Sequence, residues 1–263
     1  MNVRPKKSLG QHFLKDEDVA RKIAQTIDAS ELPPAHAPEW GTLPILEIGP
    51  GMGVLTKYLL DSGREVRAVE LDSESVEFLA KLYPQLNVIE GDFLKMDLST
   101  LFPSEFALIG NYPYNISSQI FFRVLDYRER MPVVSGMLQK EVAERICAAP
   151  GSRSRGILSV LLQAWYDCEY LFTVEPFVFT PPPKVRSGVL RLTRNSRTDL
   201  GCDEAAFKRV VKTAFGQRRK TLRNSLSGLI KPGSELLSDP MLTLRPERLS
   251  VEDFISLTQR ICQ

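Results

Sequence analysis

The stretch that decides the fold is Ile45-Leu46-Glu47-Ile48-Gly49-Pro50-Gly51-Met52-Gly53, a short apolar run that ends in glycines. The segments 65–71 and 86–92 are apolar runs of the same kind, and apolar residues recur at helical spacing in the intervening segments 53–62 and 73–82. Strands that alternate with helices predict βαβ units and a parallel sheet. The chain is therefore expected to be an α/β protein.

The same signals extend over the rest of the chain. Further strands are expected at 106–111, 131–138, 170–176 and 187–193, and further helices at 18–24, 117–130 and 156–166. After Asn195 a polar linker leads to three helical stretches, at 203–216, 220–230 and 250–262, the last of which begins close to a capping box. We predict an α/β domain over 1–195, which opens with a basic arm, and a small all-helical domain over 196–263.

Composition excludes several classes of protein. Of 263 residues, 43% are hydrophobic and 25% are charged. No apolar run approaches the roughly 18 residues of a membrane span. The four cysteines form no Cys-x-x-Cys pair and the two histidines lie far from them, so neither a zinc site nor a disulfide framework is expected. Such a sequence is typical of a cytoplasmic protein with reduced thiols and no metal.

The glycine loop at 49–53 favours a ligand. Glycines let a ligand approach the backbone, and the N-terminus of the following helix favours negative charge. The dinucleotide pattern Gly-x-Gly-x-x-Gly fails, because its sixth position is Val54 counted from Gly49 and Thr56 counted from Gly51. The loop instead resembles that of S-adenosylmethionine-dependent methyltransferases. A tight connection between strand and helix, without a ligand, is the alternative.

Two acidic residues follow the next strands. Glu70 ends the second strand, where a carboxylate can accept hydrogen bonds from both ribose hydroxyls. Asp92 ends the third strand, where it can accept from an adenine amino group while Phe93 flanks the ring. Either acid alone is an ordinary solvated side chain, but strand ends in an open α/β sheet converge on one crevice. Together with the glycine loop, the two acids predict a nucleoside site.

The stretch Gly110-Asn111-Tyr112-Pro113-Tyr114-Asn115 follows the fourth strand. It resembles the (Asn/Asp)-x-Pro-(Tyr/Phe) motif of methyltransferases that modify exocyclic amino groups. An adenine N6 is a poor nucleophile because its lone pair is delocalised into the ring. The Asn111 side-chain oxygen and the Tyr112 carbonyl can accept hydrogen bonds from its two N–H groups, which increases the electron density on nitrogen. Pro113 fixes the backbone that aims this carbonyl, and Tyr114 offers a face to an extruded base. A plain turn with a buried tyrosine is the alternative.

A second aromatic segment lies at 175–190, where consecutive prolines predict a stiff extended loop. We expect Phe179, which precedes Thr180-Pro181, to close the other face of the extruded base. The alternative is that Phe177 and Phe179 are core aromatics.

These motifs together resemble the KsgA family of ribosomal RNA adenine N6,N6-dimethyltransferases. The matching stretches run in family order over almost the whole chain, at 6–14, 46–56, 69–72, 91–94, 110–118, 139–146, 179–189 and 249–254. Family members commonly have Leu at position 112 of the motif. Tyr112 departs from this pattern, but the functional atom at this position is the main-chain carbonyl.

The resemblance implies a Rossmann-like class I methyltransferase sheet with a C-terminal helical domain. The implied reaction is the dimethylation of two adjacent adenosines near the 3′ end of small-subunit (16S) rRNA during ribosome biogenesis, with S-adenosylmethionine as the methyl donor. It also implies that the cofactor contacts His12, Leu14, Gly49, Glu70, Asp92 and Asn111, and we add Gly51, Leu71 and Phe93 as neighbours in the same loops. The arm 8–14 is expected to fold over the crevice as a lid, and the protein is expected to be a monomer.

Charge is distributed unevenly, although the net charge is only +2. No acid lies between Ala205 and Ser234, a segment rich in Lys and Arg. We expect this segment to dock the RNA through Lys208, Arg209, Lys212, Arg218, Arg219, Lys220 and Arg223. A solvated surface is the plain alternative. Other candidate docking surfaces are the arm with Arg4, Lys6 and Lys7, and the region of Arg153 and Arg155.

Three other functions are compatible with parts of this pattern. A large-subunit rRNA adenine N6-methyltransferase of the macrolide-resistance type shares the glycine and Asn-x-Pro-Tyr motifs, but the long helical C-terminal domain and the sequence 49–56 favour the small-subunit enzyme. A non-catalytic assembly factor would not need Glu70, Asp92 and Asn111. A nicotinamide oxidoreductase conflicts with the glycine spacing.

Overall fold

The computed structural model describes Val3, Pro5, Lys6 and residues 9–262, so the predicted basic residues Arg4 and Lys7 lie outside the described residues. The strands are β1 (Phe13–Leu14), β2 (Ile45–Ile48), β3 (Val66–Glu70), β4 (Asn87–Glu90), β5 (Ala107–Gly110), β6 (Val133–Gln139), β7 (Tyr166–Val174), β8 (Phe179–Thr180) and β9 (Ser187–Arg194). The α-helices are α1 (Glu17–Gln25), α2 (Ala37–Trp40), α3 (Val54–Asp61), α4 (Ser73–Leu82), α5 (Ser117–Asp126), α6 (Lys140–Ile146), α7 (Ile157–Gln163), α8 (Glu204–Gly216), α9 (Leu222–Ser225) and α10 (Val251–Cys262).

Seven strands form one sheet in the order β4-β3-β2-β5-β6-β9-β7. The strands from β4 to β6 pair in parallel, and β9 pairs antiparallel with β6. The predicted α/β sheet is confirmed. Because the strand order reverses between β2 and β5, a crevice opens at the carboxyl ends of these strands, which is where ligands bind in such sheets.

The central strands explain the continuous apolar runs in the sequence. Every residue of β2 and β5 is buried, since helices cover both faces of a parallel sheet. The edge strand β4 is only half-buried to exposed. Burial thus decreases from the centre of the sheet toward its edge. The glycine loop follows β2, which is one of the fully buried central strands.

A second sheet of two antiparallel strands joins segments that are distant in sequence. In this sheet β1 pairs with β8, with Leu14 opposite Phe179 and Phe13 opposite Thr180. The sequence did not predict it, because a strand of two residues has no detectable periodicity. The pairing attaches the N-terminal arm to the proline-rich segment.

Residue contacts divide the chain into two compact units. One contains Met1–Ala143 and Cys168–Arg194, and the other contains Glu144–Asp167 and Asn195–Gln263. The chain passes from one unit to the other at three points, and of these crossings only the one after Arg194 coincides with the boundary predicted from the sequence. The other two crossings enclose α7, which packs with α8 and α10 within the second unit.

Several local predictions are refined by the structure. The proline-rich stretch 31–44, whose composition is typical of a loop, contains the short helix α2, and the helix predicted at 220–230 is reduced to the single turn of α9. The capping box of α10 is confirmed, because Ser250 N donates to Asp253 Oδ2 at 2.8 Å and Asp253 N donates to Ser250 Oγ at 3.0 Å. In the part of the chain that the structure describes, no helix is long and apolar enough to cross a membrane.

Candidate active site

A cavity of about 270 Å³ occupies the crevice at the carboxyl ends of the strands. All nine residues predicted to bind the cofactor line it: His12, Leu14, Gly49, Gly51, Glu70, Leu71, Asp92, Phe93 and Asn111. These residues come from the arm and from the loops after β2, β3, β4 and β5. The structure therefore brings together residues that lie up to a hundred positions apart in the sequence.

The glycine loop is shaped by its backbone and by the arm. Gly49 and Gly51 have φ angles of 65° and 56°, values that favour glycine. A Cβ atom on Gly51 would lie 3.0 Å from the Phe13 ring. The arm thus packs closely on the loop, and larger residues in the loop would displace it.

Three backbone N–H groups fix the Glu70 carboxylate. Its Oε2 accepts from Gly51 N at 3.0 Å, and its Oε1 accepts from Leu71 N at 2.8 Å and Asp72 N at 2.9 Å. Burial raises the pKa of Glu70, while these hydrogen bonds oppose the shift. Each carboxylate oxygen has two acceptor sites, so the orientation leaves capacity for a ribose hydroxyl.

The Asp92 carboxylate is also held at the crevice. Its Oδ1 accepts from Leu94 N at 3.0 Å, and its Oδ2 lies 3.3 Å from the exposed Lys95 ammonium. The neighbouring Phe93 is buried. This arrangement combines an acceptor with an apolar wall, which matches the edge and face of an adenine ring.

Asn111 is oriented by the arm. Its Nδ2 donates to the His12 carbonyl at 3.2 Å. The amide oxygen is therefore the end of the side chain that remains as an acceptor within the cavity. This is the atom that the activation of an exocyclic amine requires.

Tyr112 anchors the Asn-x-Pro-Tyr motif in the core. Its ring is 1% exposed, its hydroxyl donates to the Ser135 carbonyl at 2.6 Å and its backbone N donates to the Met137 carbonyl at 2.8 Å. Burial strongly raises the pKa of this phenol. The departure from Leu thus places a hydrogen-bonded tyrosine in the core.

Tyr114 lies beside His12 of the arm and is not among the residues that line the cavity, so its stacking on an extruded base stays a prediction. Its hydroxyl is 2.5 Å from Ser187 Oγ, and its ring centroid is 5.6 Å from that of His12. His12 Nδ1 donates to the Pro181 carbonyl at 2.8 Å. These contacts tie the motif, the arm and the proline-rich segment together.

The two aromatic residues of the proline-rich segment differ in exposure. Phe179 is 1% exposed and packs in the hydrophobic core with Leu14 and Val178, whereas Phe177 is 72% exposed. Phe179 is not among the residues that line the cavity. Its stacking on an extruded base stays a prediction, and such stacking requires the segment to move.

One acidic residue of the crevice was not predicted as a site residue. Glu47 lines the cavity, is 1% exposed and accepts a hydrogen bond from Thr56 Oγ1 at 2.7 Å. Burial raises its pKa to about 8. The available signal was its position, since a carboxylate inside a continuous apolar strand next to a glycine loop is unusual.

The arm contributes more to the crevice than its two predicted contacts. Residues 9–14 all line the cavity. Closer to the N-terminus, Lys6 forms an ion pair with the buried Asp72, to which Gln11 Nε2 also donates at 3.5 Å. These contacts agree with the expected position of the arm over the crevice.

The predicted RNA-docking residues lie on the surface of the second unit. Lys208 is half-buried and the other six are exposed. The opposite face of α8 is buried, with Phe207, Val210 and Phe215 in the core. Arg155, considered above as an alternative surface cation, is fully buried and donates to the Leu249 and Ala148 carbonyls, so it is not a surface residue.

Comparison with known proteins places this site in a family. The model of the family described as ribosomal RNA adenine dimethylase matches residues 2–261. A ribosomal RNA small subunit methyltransferase A from Parabacteroides distasonis is 59% identical over 97% of this chain and 93% of its own length. A protein of the same name from Porphyromonas gingivalis is 58% identical over 98% of both chains.

Two solved structures share the fold of this chain over almost its whole length. The crystal structure of a dimethyladenosine transferase from Plasmodium falciparum matches with a TM-score of 0.75 and 25% identity, covering 94% of this chain and 96% of that one. The 23S rRNA methyltransferase ErmE matches with a TM-score of 0.65 and 27% identity, covering 95% and 100%. With the family model matching nearly every residue, the chain belongs to the ribosomal RNA adenine dimethylase family.

Proposed function

We infer that the protein transfers methyl groups from S-adenosylmethionine to N6 of two adjacent adenosines near the 3′ end of small-subunit rRNA. The observation that carries this function is that Asn111, whose Nδ2 donates to the His12 carbonyl, lines the same cavity as Glu70 and Asp92. A nucleoside cofactor and an exocyclic amine thus have acceptors in one crevice. We further propose that the protein acts as a monomer in the cytoplasm, where small subunits assemble.

The residues present fit S-adenosylmethionine. Glu70 is proposed to accept from a ribose hydroxyl, Asp92 from the adenine amino group, and the loop with Gly49 and Gly51 to hold the amino acid tail. When bound, the cofactor supplies a methyl group on a sulfonium, which is a strong electrophile. Residues 9–14 of the arm line the cavity, and we propose that they close over the bound cofactor, which would strengthen the electrostatic interactions inside the cavity.

Activation of the target amine is assigned to the Asn-x-Pro-Tyr motif. The Asn111 oxygen and the Tyr112 carbonyl accept hydrogen bonds from the two N–H groups of N6 and so increase the electron density on this nitrogen. Tyr114 stacks on the extruded base. No ionisable base is required, because alignment of the reacting groups supplies much of the rate enhancement and the proton can leave to water.

The test is the incubation of unmethylated small subunits with labelled cofactor, followed by mapping of the modified bases. We expect label on two adjacent adenosines near the 3′ end. Asn111→Ala should lower the rate on the order of a hundredfold or more, as expected when one positioned hydrogen-bonding group is removed from an active site.

The same experiment separates the alternatives. Label in large subunits and none in small subunits would support a large-subunit methyltransferase. Tight binding of small subunits without label would support a non-catalytic assembly factor. An Asn111→Ala protein with the wild-type rate would contradict the proposed activation of the amine.

A further inference from the structure

Phe177 is the most exposed of the large hydrophobic residues in the described part of the chain, at 72%. It lies in a 3-10 turn, Pro176–Val178, and the two residues that follow it in the chain, Val178 and Phe179, are buried. The chain thus buries these two side chains and presents the Phe177 ring to solvent. An exposed aromatic face is able to stack on a nucleic-acid base.

The position of Phe177 is fixed relative to the crevice. Phe179 pairs with Leu14, which lines the cavity, and Lys15 N donates to the Val178 carbonyl at 2.9 Å. Farther along the same segment, the Pro181 carbonyl accepts from His12. Two residues of extended chain span at most about 7 Å, so the exposed ring lies next to the elements that surround the active site.

Two exposed cationic residues contact the chain neighbours of Phe177. Lys15 is exposed and its backbone is bonded to Val178, the residue after Phe177. Arg186 is exposed and its guanidinium lies 3.9 Å from Glu175, two residues before Phe177. An exposed ion pair at this distance contributes little, so Arg186 can exchange Glu175 for a phosphate.

We propose that Phe177 is a stacking platform for an RNA base that neighbours the adenosine in the active site, with Lys15 and Arg186 contacting the adjacent phosphates. This inference rests on the proposed function. Extrusion of one adenosine breaks its stacking on the next base, whose exposed face then requires a partner. An aromatic ring flanked by cations has the composition of a site for single-stranded nucleic acid.

The experiment compares Phe177→Ala, Phe177→Leu and Phe177→Trp in binding to unmethylated small subunits. Apparent affinity should fall about 5- to 150-fold for Ala, which corresponds to the roughly 1–3 kcal/mol of one base–aromatic stack. Leu should resemble Ala because it has no flat face, and Trp should retain wild-type affinity. Cofactor affinity and the unfolding midpoint should not change in any variant.

Leu82→Ala is the matched control, since Leu82 is 48% exposed at the end of α4 and is not among the residues that line the cavity. It should bind subunits like the wild type. Wild-type affinity of Phe177→Ala would overturn the proposal, and so would wild-type affinity of Phe177→Leu, which would indicate an apolar protein contact. Failure of the proposed function is distinguishable, because the wild-type protein itself would then not label small subunits.

Discussion

At the scale of single residues, Asp92 is the acceptor proposed for the adenine amino group. Asp92→Ala should weaken S-adenosylmethionine binding tenfold or more, since a hydrogen bond to a charged group contributes about 1.5–3 kcal/mol. Calorimetry would measure this dissociation constant. Asp126→Ala is the control, because Asp126 is exposed at the end of α5 and is not among the residues that line the cavity. An unchanged constant for Asp92→Ala would remove Asp92 from the site.

Glu47 predicts a pH dependence of stability. Its pKa is raised by burial from 4.5 to about 8, so the unfolded chain releases the proton at a lower pH than the folded protein does. The stability that Glu47 contributes is therefore fully present below about pH 4.5 and is lost progressively as the pH rises to about 8. Above about pH 8 this loss of stability no longer changes with pH.

Glu47→Gln should remove this loss, because Gln stays neutral and keeps an acceptor for Thr56. Relative to the wild type, its free energy of unfolding should rise with pH across the window. The gain should reach a few kcal/mol, since one pKa unit corresponds to about 1.4 kcal/mol. Urea unfolding at several pH values measures the difference, and a difference that does not vary with pH would show that Glu47 ionises normally.

At the scale of elements, β6 constrains the loop that carries the Asn-x-Pro-Tyr motif. A Cβ on Gly136 would lie 2.4 Å from the Gly110 carbonyl oxygen and 2.8 Å from the Tyr112 ring. The φ angle of Gly136 is 152°, which other residues rarely adopt. The close approach of β5 and β6 at the start of the motif thus depends on this glycine.

Gly136→Ala should destabilise the protein by about 1–3 kcal/mol, which is typical of overpacking, and should also lower turnover because the motif is displaced. Denaturant unfolding and the rate of methyl transfer would be measured on the same preparation. Gly216→Ala, where a Cβ meets no atom within 4 Å, is the control for stability and should be at least as stable as the wild type. Wild-type stability and rate for Gly136→Ala would show that the strands have room to adjust.

At the scale of the whole molecule, basic side chains concentrate in one segment of the second unit. The exposed face of α8 carries Arg209 and Lys212, with the half-buried Lys208 at its border, and the chain after α8 carries Arg218, Arg219, Lys220 and Arg223. Phosphate contacts release counterions, so RNA binding through this segment should weaken steeply with salt.

Replacing Arg218, Arg219 and Lys220 with Ala should weaken small-subunit binding and flatten its salt dependence by up to about 0.7–0.9 units of slope per lost phosphate contact. Cofactor affinity should stay the same. The control removes three exposed cations from the first unit, Arg21, Lys22 and Lys57. Wild-type binding by the first triple variant at two salt concentrations would place the docking surface elsewhere, on the N-terminal arm or around Arg153.

The sequence by itself determined the sheet and the order of the residues around the crevice. Apolar runs, glycine positions and helical spacing are local signals, and the alternation of strands and helices then restricts the topology. The common position of Glu70, Asp92 and Asn111 around the cavity was predictable because each lies at the end of a parallel strand or just after it. The sequence signals that place them are contained within a few positions of each residue.

Only the tertiary structure decided which neighbouring residues are buried. Phe177 and Phe179 have the same side chain and lie two positions apart, yet the pairing of Phe179 with Leu14 buries one and leaves the other exposed. Tyr112 became an anchor because Gly136 lies opposite its ring, and α7 joined the C-terminal helices across a long separation in sequence. Such outcomes depend on contacts between distant segments, and no local periodicity of the chain encodes them.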